Sequence, residues 1–215
     1  MNEIDKDLRE RKNLYKERVL NDRASSDRLV SDKELNAGKN ERPRQGFKQQ
    51  PEERKAGPYF LRERFVKNHS LFYLNALEEI QKGMKRGCWL WFILPTPPYI
   101  VDGVERGSIM NKRFALRGDD CAKAYLQYED KGLGVNLRAN YLGICLAIIL
   151  QMRKGNTLTN MFSSMDTPKV VSSLTLFQRI ALDMDDEELY KACCAVLKPS
   201  KSRASKYKSK RQRSW

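Results

Sequence analysis

Between Leu142 and Leu150 the chain passes through nine residues without a charged, amide or hydroxyl side chain, Leu-Gly-Ile-Cys-Leu-Ala-Ile-Ile-Leu. A helix that is apolar all round must be surrounded by protein. Residues 135 to 153 are therefore expected to form the central helix of a core, with other elements packed around it. The run falls well short of the roughly 18 consecutive apolar residues that a membrane-spanning helix needs, and no longer one occurs. No membrane span is expected.

Helical spacing recurs on both sides of this centre. From His69 to Gln81, Leu71, Leu74, Leu77 and Ile80 fall three apart, Phe72 and Ala76 widen the stripe, and Gly83 follows as a stop. Asp119 to Tyr128 reads as a short helix, with Asp119 or Asp120 capping its first N–H groups. Thr157 to Met161 adds a helical turn, and Pro168 to Leu182 a helix whose positions Val171, Leu174, Phe177 and Ile180 are again three apart. Asp185 to Leu197 completes the set; its first turn is acidic, as the helix dipole favours, and Pro199 ends it. Trp89 to Leu94 is apolar without a period, and both a buried strand and a helical turn fit it. The fold class expected is mainly α: a single compact helical domain over residues 58–197, with flexible charged N- and C-terminal extensions.

Charge separates those extensions from the domain. Of the net +14, residues 1–57 contribute +3, residues 58–197 another +3, and the last 18 residues +8, with no acid among them. The high overall charge thus describes a tail more than a basic groove. Residues 1–23 carry a thin stripe, Ile4, Leu8, Tyr15 and Val19, with i,i+4 pairs Asp5–Arg9 and Asp7–Arg11, which fits a marginal helix available to a protein partner. From Ala24 to Gly57 there is almost nothing to bury, the composition of a disordered arm. The mixed charges of Met1 to Asp7 do not resemble a secretory or transit segment, so residence in the cytoplasm or nucleus is expected. Five cysteines without a C-x-x-C spacing indicate reduced thiols rather than a disulfide framework or a zinc knuckle.

Several strings in the domain share an order and spacing. Arg64-Phe65 comes first, then Gly83-Met84-Lys85-Arg86 running into Trp89-Leu90-Trp91-Phe92 and Pro95. Ser108-Ile109-Met110, Arg113-Phe114-Ala115-Leu116, Ala124-Tyr125-Leu126 and Leu133-Gly134 follow. Asp166-Thr167-Pro168-Lys169 and Ser172-Ser173-Leu174-Thr175-Leu176-Phe177 close the series. On these pieces, residues of about 64–177 resemble the family of unknown function numbered 1810, some of whose bacterial members carry the label calpastatin. The resemblance implies a compact, largely helical domain. It also marks departures: Cys88 stands where relatives carry a His before the first tryptophan, and Thr96 where they carry a Gln after the proline. Tyr128, Glu129 and Asp130 occupy the stretch of a second family His. If the family's polar cluster transfers protons, this chain has lost its usual titrating groups.

The candidate chemistry is correspondingly sparse. No phosphate-binding glycine loop occurs, and Gly132-Leu133-Gly134 lacks the remainder of one. His69 is the only histidine, so no multi-histidine metal site can form within one chain, and the acids of 183–188 suit a helix start. No metal and no cofactor are expected. A Cys88–His69 nucleophilic pair is conceivable on chemical grounds, with Lys85 and Arg86 near the thiol. Trp89 and Trp91 beside Lys85 and Arg86 can serve as core or as a platform where rings stack a base and cations hold phosphate. Lys169, Ser172, Ser173 and Thr175, placed at a helix start, suit capping or anion binding. A small-molecule pocket, if one exists, belongs between these two strings.

The strongest functional signal is the tail. Lys198, Lys201, Arg203, Lys206, Lys208, Lys210, Arg211 and Arg213 repel one another and attract polyanions by counterion release, so RNA or DNA contact or nuclear localisation is expected of them. Five serines are threaded through the same stretch, and each phosphate placed there would add about −1.5 to −2 charges. The leading expectation is a non-catalytic helical interaction module with a nucleic-acid-binding tail. The alternative is a small enzyme or ligand-binding protein acting on a nucleotide-like molecule.

Overall fold

The computed structural model describes residues 59–198. The N-terminal arm, with its expected helix over 1–23, and the tail cations from Lys201 to Arg213 lie outside the described residues.

A turn of π-helix, Arg62–Val66, runs straight into α1, Lys67–Gln81. The short α2 (Leu90–Ile93) follows, then a hairpin of β1 (Tyr99–Val101) and β2 (Val104–Arg106), then α3 (Ile109–Phe114) and α4 (Asp119–Gln127). A two-residue ladder, β3 (Glu129–Asp130) with β4 (Val135–Asn136), leads into α5, Leu137–Arg153. Two helices complete the domain, α6 (Leu158–Asp183) and α7 (Glu187–Leu197). The domain is mainly α. Helix α5 is the centre, packed by α1, α4 and α7, while α6 lies along α7 and touches α4. Leu142, Ile144, Cys145, Ala147 and Ile148 have no exposed surface, and each buried Leu or Ile contributes about 1.5–3 kcal/mol. Asn136 starts α5 by accepting from Ala139 N at 2.8 Å.

Local chemistry corrects several sequence expectations. The buried face of α1 is His69, Tyr73, Ala76, Leu77 and Ile80, whereas Leu71 is 67% and Phe72 43% exposed. A strict three-residue spacing rotates around a helix of 3.6 residues per turn, so Leu71 and Leu77 cannot both face inward. The segment at 89–94 is a helical turn. Helix α4 has Gly118 at its N-cap with no side-chain cap, and Asp119 binds Arg179 instead, with one contact at 2.7 Å. Helix α7 starts at Glu187 rather than at Asp185: Asp186 caps it, accepting from Leu189 N at 3.2 Å, and Arg138 grips the same carboxylate twice at 2.6 Å.

Helix α6 is two helices joined at Ser163, whose φ of 66° and ψ of 167° break the ladder. The second part therefore begins at residue 164, ahead of Pro168. Pro168 has no N–H for the Ser164 carbonyl, and Ser164 lies exposed where water reaches it. The hairpin turns on Asp102 (φ 50°) and Gly103 (φ 72°), the double positive-φ geometry of a tight β-turn.

Candidate functional site

The two candidate strings meet across a cleft of about 350 Å³. Helix α2 and the segment after it supply one wall, with Trp91, Leu94, Thr96, Pro97, Pro98 and Tyr99. Helix α6 supplies the other with Met165, Pro168, Lys169 and Ser172, and Asn111 and Phe114 of α3 close the side.

The Trp91 ring is fixed at its edge, where Nε1 donates to Asn111 Oδ1 at 2.8 Å. Asn111 is set by α3: its backbone N–H donates to the Ser108 hydroxyl at 3.2 Å. Gly107 makes room for it, since a Cβ there would sit 2.8 Å from Asn111 Nδ2. Lys169 Nζ stands 5.7 Å from the centre of the Trp91 ring, within the range of a cation–π contact. Ser172, three residues on, lines the same space.

Behind Lys169 lies a charged relay. Asp166 Oδ1 accepts from Lys169 Nζ at 3.1 Å and Oδ2 from Lys85 Nζ at 2.8 Å. Burial pushes the Asp166 carboxyl up, but the hydrogen bonds from Lys85 and then Lys169 outweigh it and hold the group below the ordinary carboxylate value. Lys85 Nζ also lies 5.6 Å from the Trp89 ring centre. The sequence Trp89, Lys85, Asp166, Lys169, Trp91 is thus one continuous set of contacts.

Trp89 itself is core, 2% exposed, and its Nε1 donates to Glu79 Oε2 at 2.7 Å. The same carboxylate accepts from the backbone N–H groups of Arg86 and Gly87 at 2.7 and 2.9 Å, which ties the 82–89 loop to α1. Burial pushes Glu79 up, and these donors more than reverse it.

Of the residues singled out in the sequence, Trp91, Lys169 and Ser172 line the cleft; Lys85 supports it through Asp166. Trp89 is inside, Arg86 faces solvent, and Ser173 is buried with its hydroxyl 3.0 Å from Tyr141 Oη. Thr175 is exposed and donates back to the Val171 carbonyl at 2.8 Å. With the helix starting at 164, none of these residues lies in its first turn. Ser173 and Thr175 point elsewhere because each residue turns about 100° around the axis, which carries Ser173 from Ser172 towards Tyr141 and Thr175 to the solvent side. Asn111, Thr96, Tyr99 and Asp166 escaped the sequence reading as site residues. Asp166 left a signal, its i,i+3 spacing to Lys169; Asn111 left a weaker one, three residues after a capping serine.

The Cys88–His69 pair is not what the fold builds. Cys88 is exposed, whereas His69 has no exposed surface and both its ring nitrogens are engaged. The amide nitrogen of Asn140, a donor only, faces Nδ1 at 3.2 Å, so the proton sits on Nε2, which donates to the Phe92 carbonyl at 2.8 Å. Burial pulls the imidazole down to about 4, partly offset by that carbonyl. His69 is a neutral core residue. Among the described residues, no group of three or more His, Cys, Asp or Glu could hold a metal ion. None of their helices is long and apolar enough to cross a membrane.

These features define a class: a mainly α domain with a small aromatic and cation-lined cleft between its second and sixth helices. The chain belongs to the family described as Protein of unknown function (DUF1810), whose model matches residues 60–201. It is similar in structure to the conserved hypothetical protein Rv1873 from Mycobacterium tuberculosis, with 26% identity and a TM-score of 0.51, over 63% of this chain and 85% of that one. No curated protein matches it.

Proposed function

We propose that this domain is a non-catalytic binding module whose cleft takes a flat-ringed, nucleotide-like anion. The observation that carries the reading is Lys169, the one charged residue of the lining, with its ammonium 5.7 Å from the Trp91 ring. A flat ring can pack on the aromatic and proline walls, while the ammonium and the Ser172 hydroxyl take the charged end. At about 350 Å³ the space lies at the low end of small-ligand sites, which run to roughly 300–1,000 Å³. One ring system and one charged group suit it. The lining contains no His, Cys, Asp or Glu, so it lacks the usual acid–base pair, which favours binding over the small-enzyme alternative.

The test is a titration of the full chain with 5′-mononucleotides, followed through the Trp91 indole N–H resonance. Lys169→Met is expected to weaken binding by about tenfold or more in the same titration, and Trp91→Ala, followed by calorimetry because it lacks the reporting indole, by roughly 5- to 150-fold, the worth of one stacked ring. An indole resonance unmoved by every mononucleotide refutes the reading.

A second element belongs to the same proposal. The eight cations of residues 198–215, without an acid, support sequence-independent contact with RNA or DNA and residence in the cytoplasm or nucleus. On duplex DNA the log–log salt slope should reach about −7 if all eight engage. Deleting residues 198–215 should abolish that contact; a flat salt response would exclude the mode. The N-terminal arm remains a proposed docking segment for a protein partner.

A further inference from the structure

The cleft holds more charge than its lining shows. Lys169 is the ammonium that faces the ligand space, and Asp166 and Lys85 stand behind it in contact, at 3.1 and 2.8 Å. All three are largely withdrawn from water: their side chains are 36%, 21% and 12% exposed in that order. Partial withdrawal keeps their fields from being fully screened. Counted together they carry two positive charges and one negative. A further acid stands beyond Lys85: the Glu79 carboxylate, which Lys85 helps to hold below its ordinary value, is taken up by the Trp89 indole and the backbone N–H groups of Arg86 and Gly87 and lies outside the lining.

Building on the cleft proposed above, we infer that it selects a flat-ringed ligand carrying a single negative charge, and that Asp166 sets this preference by occupying the second positive charge from within. A lysine ammonium has three N–H donors. One of those on Lys169 goes to Asp166, which leaves the others for a carboxylate or a phosphodiester beside the Ser172 hydroxyl. Such a monoanion brings the cluster to neutrality. A phosphate monoester, which carries about −1.5 to −2 charges at neutral pH, leaves negative charge uncompensated and places it close to the Asp166 carboxylate. Asp166 is thus a specificity-determining residue that the ligand need not touch.

The experiment uses three ligands with one ring: adenosine, adenosine 5′-monophosphate, and its methyl phosphodiester, titrated into the full chain. On the unaltered protein the diester is expected to bind about three- to tenfold more tightly than the monoester, the scale of one partly screened charge contact, and adenosine more weakly than either. In Asp166→Asn the cluster becomes doubly positive, so both anions should gain, the monoester about tenfold more than the diester, which brings it level or ahead while adenosine stays unchanged. Lys85→Gln is the second variant, in case the first folds poorly. It removes a cation outside the lining, so both anions should weaken with adenosine again unchanged. A monoester preferred over the diester on the unaltered protein overturns the inference, as does a preference that Asp166→Asn leaves where it was. Adenosine binding as well as both anions overturns charge selection alone and leaves the cleft reading standing. No response at Trp91 to any of the three overturns both.

Discussion

Replacing Gly143 with alanine tests how tightly α1 and α5 are joined. In an isolated helix the change would be favourable by about 1 kcal/mol, because glycine has the larger conformational freedom to lose. Here the new Cβ would stand 2.3 Å from Tyr73 Oη, and the next atom of that ring, Cζ, lies at 3.6 Å. Tyr73 is 3% exposed and its ring stacks on His69 with centroids 6.4 Å apart, so it has little room to retreat. Overpacking of this kind costs about 1–3 kcal/mol. Because so short an approach belongs at the upper end, Gly143→Ala should lose about 1–2 kcal/mol net. Tyr73→Phe deletes the offending oxygen and leaves an ordinary contact at Cζ. In that background Gly143→Ala should instead gain up to about 1 kcal/mol, a coupling of about 2–3 kcal/mol across the cycle. Urea denaturation of the four proteins measures it, provided the dependence on denaturant is common to all. Equal losses from Gly143→Ala in the two backgrounds would refute the packing account.

Neutral His69 predicts a pH response of definite sign. Its folded value of about 4 lies below the ordinary 6.5, so between those limits the unfolded chain takes up a proton that the folded chain refuses. Its contribution is complete above pH 6.5, declines by about 1.4 kcal/mol per unit as the pH falls, and levels off below pH 4. The loss totals about 3 kcal/mol. Denaturation across that window checks it, and a stability indifferent to pH there contradicts the burial. Asp186→Ala should cost about 1–3 kcal/mol by removing both the cap of α7 and the Arg138 pair. Asp186→Asn, which keeps an oxygen for Leu189 N–H, should cost about half as much by the same melts; equal costs would mean that the cap contributes nothing. Gly107→Ala should displace Asn111 and shift the Trp91 indole resonance without a ligand, which an unchanged spectrum would disprove.

The centre of this fold was legible because its signal is compositional: no arrangement other than full enclosure suits Leu142 to Leu150. Faces were harder. Leu71 looks like core by spacing, yet the helix turns it outward and brings in His69, whose polarity argued against burial until Asn140 and Phe92 supplied partners from far along the chain. The hairpin at 99–106 was missed although Asp102-Gly103 between valines is a turn signal, because its apolar residues Tyr99, Ile100 and Val104 stay exposed and form no buried alternation. For the cleft, the sequence showed which residue types were present but not that Ser163 would restart the helix. Without that break, Lys169 and Ser172 could not be assigned a face, and Ser173 and Thr175 looked equivalent to them.

The restart at Ser163 fixes a phase. Every side chain that α6 delivers to the cleft is counted from that residue, and each position added or removed between it and Lys169 would swing the ammonium by about 100° around the helix axis. Lengthening the loop at 154–157 changes no such angle. Insertions and deletions among natural relatives are therefore expected to collect upstream of Thr157, with the six-residue step from Ser163 to Lys169 held constant like the index mark on a dial.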